Sequence, residues 1–117
     1  MKYEEIVDKI RSVYENADAR QIFEHIAIQI NIVGEGEGIL YVEVADRQIS
    51  VEPYDYHDRD GLAICSGETI FRVANGEMSF KQAIDNGDIH FEGNTEKLKT
   101  LCEKVVVRKR KTSRKKA

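Results

Sequence analysis

Four isoleucines, Ile26, Ile28, Ile30 and Ile32, stand at every second position of one stretch, with Ala27, Gln29 and Asn31 between them. On a helix, residues two apart point in nearly opposite directions. On an extended chain they share a face. A period of two built from β-branched residues therefore predicts a strand, here His25–Val33, half-buried with one apolar face. Such a face is stable only when other strands pair beside it and a second layer covers it.

The neighbouring segments supply the partners. Gly34-Glu35-Gly36-Glu37-Gly38 reads as a turn, and Ile39–Ala45 then places Leu40, Val42 and Val44 on one side. Asp46-Arg47 is a candidate tight turn into a third strand carrying Ile49 and Val51, which Pro53 ends or marks as an edge. Asp55–Gly61 reads as a polar loop and Leu62–Ser66 as a short fourth strand. Asp88–Glu92, with Ile89 and Phe91 on one side, is a fifth.

Helical spacing brackets these strands. Tyr3, Ile6, Val7, Ile10, Val13 and Tyr14 form one apolar stripe of a helix running from Tyr3 to about Ala17. Asp18 is a candidate cap for a second helical turn through Ile22 and Phe23, and both pieces read as cover for the sheet. Glu68–Ala74 carries Ile70, Phe71, Val73 and Ala74 and stops at Asn75-Gly76. Ser79 is placed to cap a short helix with Phe80, Ala83 and Ile84, closed by Asn86-Gly87. Asn94 does the same for a last helix, whose stripe is Leu98, Leu101, Cys102 and Val105 and whose Lys97 occupies the capping-box position. Strands joined by short turns are antiparallel. With Gln29, Asn31, Tyr41, Glu43, Gln48 and Glu52 on the opposite face, the helices belong on one side of the sheet. The expected class is α+β, a five-stranded, mainly antiparallel sheet with helices on one face.

The chain has 117 residues, enough for one domain. Its net charge of −3 conceals an asymmetry. Arg108, Lys109, Arg110, Lys111, Arg114, Lys115 and Lys116 put +7 into the last ten residues without an acid, leaving the rest at −10. The expected division is a domain over 1–107 and a basic tail over 108–117. The plain reading of the tail is a solvated charge run. Alternatively it folds back on its own acidic domain or makes transient contact with an anionic membrane, at about 1 kcal/mol per basic residue. Nucleic acid is the less favoured partner. No apolar run is long enough to span a bilayer. Met1-Lys2-Tyr3-Glu4-Glu5 turns acidic without an apolar core, so the expectation is retention in the cytoplasm. Cys65 and Cys102 specify neither a disulfide framework nor a metal site, consistent with a reducing compartment.

The run Ile70-Phe71-Arg72-Val73-Ala74-Asn75-Gly76-Glu77, followed by Phe80-Lys81-Gln82-Ala83-Ile84-Asp85-Asn86-Gly87-Asp88-Ile89-His90-Phe91-Glu92-Gly93-Asn94, resembles the second half of the sterol carrier protein type 2 family. The shared skeleton is a helix ending in Gly, a short helix before a second Gly, a strand, and a Gly-Asn pair opening the terminal helix. The pattern extends over about residues 1–106 and is specific over Glu68–Val105. The resemblance implies an apolar tunnel between the sheet and the helices. It further implies non-enzymatic binding of a fatty acyl chain or other lipid, with transfer as a further role and no cofactor. Lys115-Lys116-Ala117 departs from the Ser-Lys-Leu-type ending of animal members, which favours a stand-alone bacterial-type member with a different ligand. The residues expected to line the site are Ile28, Ile30, Val42, Phe71, Phe80, Ile84, Ile89 and Leu101. The residues alone leave a second reading open, in which the same side chains fill a closed core and a surface or the tail binds a partner.

Sharper chemistry finds little support. In a calcium-loop reading of Asp58-x-Asp60-Gly61, Tyr56 takes the first ligand position and Gly67 the final acid position, so the pattern fails. The loop is read as solvated. His25, His57 and His90 share no short motif. Cys65, on a strand, reads as a small buried hydrophobe rather than a nucleophile. The glutamates within Gly34–Gly38 would repel phosphate. No catalytic or metal residue is assigned.

Overall fold

The computed structural model describes residues 2–14, 17–53 and 58–105. Its elements are α1 (Tyr3–Tyr14), β1 (Ile26–Val33), β2 (Gly38–Ala45), β3 (Gln48–Glu52), β4 (Gly61–Ser66), α2 (Gly67–Ala74), α3 (Phe80–Asn86), β5 (Ile89–Gly93) and α4 (Thr95–Lys104). The five strands lie in the order β3-β2-β1-β4-β5. All neighbours are antiparallel except β1 and β4, which are parallel. The architecture is α+β, with a mixed sheet.

Register places the apolar alternation on one face. Ile28 stands opposite Val42 and Ile30 opposite Leu40, while Val42 faces Val51 in turn. On the other side Ala63 pairs with Phe91 and Cys65 with Ile89. This face meets α1 over β3, α2 over β4, α3 over β5 and α4 over β1. The core is the layer between them, where Ile6, Ile10, Ile26, Ile28, Leu40 and Ile70 are buried.

Local chemistry sets the element ends. Asp46 and Arg47 both adopt positive φ, 52° and 64°, as a two-residue hairpin turn requires. Asn75 caps α2 with ordinary φ, and Gly76 takes the left-handed position at φ 88°. The Glu77 and Gly76 amides then bond to the Arg72 and Val73 carbonyls, closing the helix with paired backbone bonds. Ser79 and Gln82 form a reciprocal capping box on α3. At Gly93, φ 123°, a side chain would meet the Asp60 carbonyl oxygen at 2.6 Å.

Three expectations are corrected. The segment after α1 is not a second helix: Ile22 N–H bonds to the Ala19 carbonyl in a single turn, and Asp18 accepts from the Arg20 amide. Ile22 covers the core, but Phe23 is 81% exposed beneath the Arg47 guanidinium, 4.9 Å from its ring centre.

Strand β1 is buried on both faces over most of its length, with Ala27 and Gln29 almost inaccessible. Strand β1 is central in the sheet, with β2 on one side and β4 on the other. Arg59, just before β4, donates to Gln29 Oε1 at 3.2 Å, on the face opposite the helices.

The Asp55–Gly61 loop is more than a solvated link. Residues 54–57, His57 among them, lie outside the described region, but Asp60 is a structural junction. Its backbone N–H bonds to the Ala27 carbonyl at 2.7 Å and its carboxylate accepts from the Ala27 N–H at 2.8 Å. Its carbonyl also receives the Asn94 N–H at 2.9 Å, which ties the starts of β4 and α4 to β1. The basic tail lies outside the described residues as well.

Candidate functional site

A cavity of about 450 Å³ opens where α1, α2 and α4 end and α3 begins. Its apolar wall is Tyr14, Val73, Met78, Phe80, Leu101 and Val105. The polar rim is Asn75, Glu77, Ser79 and Gln82. Short elements explain the gap: α2 stops at Gly76 and α3 restarts at Ser79, leaving Glu77 and Met78 to bridge them. The rim groups are engaged with one another. Asn75 Nδ2 donates to Glu77 at 2.8 Å, and the side chains of Ser79 and Gln82 satisfy each other's backbone N–H groups.

Beneath this cavity lies a second space of only about 10 Å³, between the sheet residues Ile28, Ile30 and Val42 and the helical residues Ile10, Ile70 and Ala74. It is apolar and at the lower limit for a single water, so it is dry. Tyr14, Ala74, Phe80 and Leu101 line both volumes and form the wall between them.

Of the residues expected at a lipid site, Ile28, Ile30 and Val42 line the inner space, while Phe80 and Leu101 line both volumes. The other three lie elsewhere. Phe71 is on the side of α2 turned toward α1, with Lys9 Nζ 5.2 Å from its ring centre. Ile84 packs partly buried against the core, and Ile89 is buried within it beside Cys65. Tyr14, Met78 and the rim were not singled out by sequence as site residues. Tyr14 reads there as one more member of an amphipathic stripe, and the gap between α2 and α3 has no signature in residue spacing.

The site's electrostatics suit burial rather than bond chemistry. Burial on β4 pushes the Cys65 thiol up to about 12; Cys102 is an exposed residue of α4, and partial desolvation followed by the Glu103 charge raises its thiol to about 11. Neither is a thiolate at neutral pH. Tyr14, raised to about 12 by burial and then by Cys102, is likewise a neutral phenol. Among the described residues, no group of three His, Cys, Asp or Glu could hold a metal ion, and no helix is long and apolar enough to cross a membrane. His25 and His90 pair with Glu43 and Glu92 at 2.5 and 2.8 Å, away from the cavity.

Comparison with known proteins agrees with this fold. The crystal structure of sterol carrier protein-2 like-3 from Aedes aegypti superposes with a TM-score of 0.64 at 19% identity, covering 89% of this chain and 96% of that one. The solution structure of palmitated SCP2L2 from the same organism gives 0.63 at 18% identity, covering 88% and 93%. A sec-alkylsulfatase from Pseudomonas sp. gives 0.61 at 12% identity, but the match takes in 88% of this chain and only 14% of that enzyme. No curated protein sequence matches the chain. The model of the SCP-2 sterol transfer family matches residues 6–103, and the chain belongs to that family.

Proposed function

We propose that this protein binds a fatty acyl chain or another lipid of similar shape, without altering it, in the space between sheet and helices. The observation that carries the reading is the sharing of Phe80 and Leu101 between the outer cavity and the dry inner space lined by Ile28, Ile30 and Val42. An apolar chain entering from the rim meets a continuous apolar wall, and each side chain it fully covers contributes about 1.5–3 kcal/mol. Phe71, Ile84 and Ile89 join the contact set only where α2 and α3 move outward around a larger ligand. Family membership and the palmitated state of SCP2L2 support an acyl ligand. No nucleophile, metal or cofactor enters this function. Residues 1–107 are taken as the binding domain, with the tail from Arg108 as its separate contact to anionic membrane and the cytoplasm as the site of action.

Native mass spectrometry of the purified chain, followed by displacement of a fluorescent fatty acid, tests the reading. A co-purifying lipid or saturable, displaceable binding is expected. A bare mass with no binding would favour the second reading, a closed-core interaction module, which the 10 Å³ inner volume supports.

A further inference from the structure

Tyr14 borders more than the two volumes already described. It also lines a cleft of about 280 Å³ at the sheet edge, bounded by Arg11, Ile49, Ser50, Val51 and Glu52. It is the single residue common to the outer cavity, the inner space and this edge cleft. The other walls of the inner space are poorly placed to move. Ile28, Ile30 and Val42 are held by strand pairing on both sides, Ile10 and Ile70 are fully buried within α1 and α2, and Ala74 has no side chain to swing. Phe80 is the first residue of α3, fixed by the capping box, and Leu101 lies within α4. Tyr14 is the last residue of α1, where backbone restraint is weakest, and its side chain is only partly buried.

We propose that Tyr14 is the specificity-determining partition of the lipid site: its ring decides whether a bound chain ends in the outer cavity or passes through the interior to the β3 edge. This deepens the lipid-binding reading and rests on it. With the ring as observed, the outer cavity sets the length of chain that can be covered. With the ring displaced, the three volumes become one, and further methylenes find apolar walls at Ile28, Ile30, Val42, Ile49 and Val51.

The test is a homologous series of saturated fatty acids titrated against wild type, Tyr14→Ala, Tyr14→Phe and Tyr14→Trp. The Ala variant is expected to shift the optimum to longer chains, with affinity rising about fourfold per methylene beyond the wild-type optimum. Phe, which keeps the ring, leaves the optimum in place. Trp shortens it and, in a chain with no native tryptophan, reports occupancy by its own fluorescence. An optimum unchanged in both Ala and Trp variants overturns the proposal. Should Tyr14→Ala fail to fold, the Trp variant decides alone.

Xenon-induced methyl shifts separate this proposal from the lipid reading. Xenon should move the Ile28, Ile30 and Val42 methyl signals in Tyr14→Ala, and leave them in wild type. If wild type binds no acid of the series, the lipid reading fails. Tyr14 then stands as a steric partition, without its lipid-selecting role, where those methyls respond only in the Ala variant, and the partition itself falls where they respond in neither or equally in both.

Discussion

Lys97 and Asp60, 37 residues apart in sequence, form a 3.1 Å ion pair, and the same ammonium donates to the His25 carbonyl at 2.9 Å. The pair joins the first turn of α4 to the start of β1 through the residue that opens β4. Asp60 spends its other carboxylate oxygen on the N–H of Ala27, a residue with no solvent exposure. Asp60→Ala therefore removes a charge partner and leaves a buried donor unpaired, at an expected cost of about 2–4 kcal/mol. Asp60→Asn keeps an acceptor for Ala27 and should lose roughly half as much. Urea midpoints of the two variants and wild type decide the ordering; equal values would show that the Ala27 bond contributes nothing.

The rim of the outer cavity depends on a helix of seven residues, too short to persist without help at its ends. The Ser79–Gln82 box supplies that help. Ser79→Ala should cost about 1 kcal/mol and raise amide exchange in α3 before it affects the sheet. Exchange measured by NMR or mass spectrometry is the check. Protection lost evenly over sheet and helices would mean that α3 does not open separately.

Phe71 and Phe80 carry similar sequence credentials but occupy different places. Phe80 separates the two volumes, whereas Phe71 lies under Lys9. Phe80→Asp should reduce acyl-chain affinity at least tenfold, the loss of one covered aromatic, while Phe71→Asp should change it by less than about threefold. Circular dichroism establishes that both variants are folded before titration. The reverse order would place the ligand between α1 and α2.

The sheet was legible because its signal is local. Isoleucine alternation, the Asp46-Arg47 turn and the glycine-marked helix ends each constrain the backbone within a few residues. Burial of Gln29 and Tyr41 was not, since it depends on contacts remote in sequence, such as that of Arg59 with Gln29. Asp60 looked like a loop carboxylate for the same reason: its partners Ala27 and Lys97 are distant in sequence. Of the apolar residues expected at the site, Ile28, Ile30, Val42, Phe80 and Leu101 border the two volumes. Residue type could not rank Phe71 against Phe80, because the two stand on different short helices whose orientation spacing does not give. Nor could it find Tyr14, where three volumes meet at one side chain.

Alkaline pH offers a test of how dry this interior is. Cys65 is buried on β4, and its thiol is raised by desolvation from 9.0 to about 12; Tyr14 is raised from 10.0 to about 12. In the unfolded chain both groups ionise near their ordinary values, so between about pH 9 and 12 the native state holds more protons than the unfolded state. Stability then falls as pH rises. The contribution of these groups is fully present below pH 9 and is lost as pH climbs through the folded values near 12. Urea midpoints should be insensitive to these two groups below pH 9 and decline above it. Cys65→Ala removes that thiol's share, so its decline should be shallower, with Cys102 still contributing above pH 9 and Tyr14 above pH 10. A Cys65→Ala profile parallel to wild type throughout would mean that water reaches the thiol in the folded protein, and that the layer between β4 and the helices is already open.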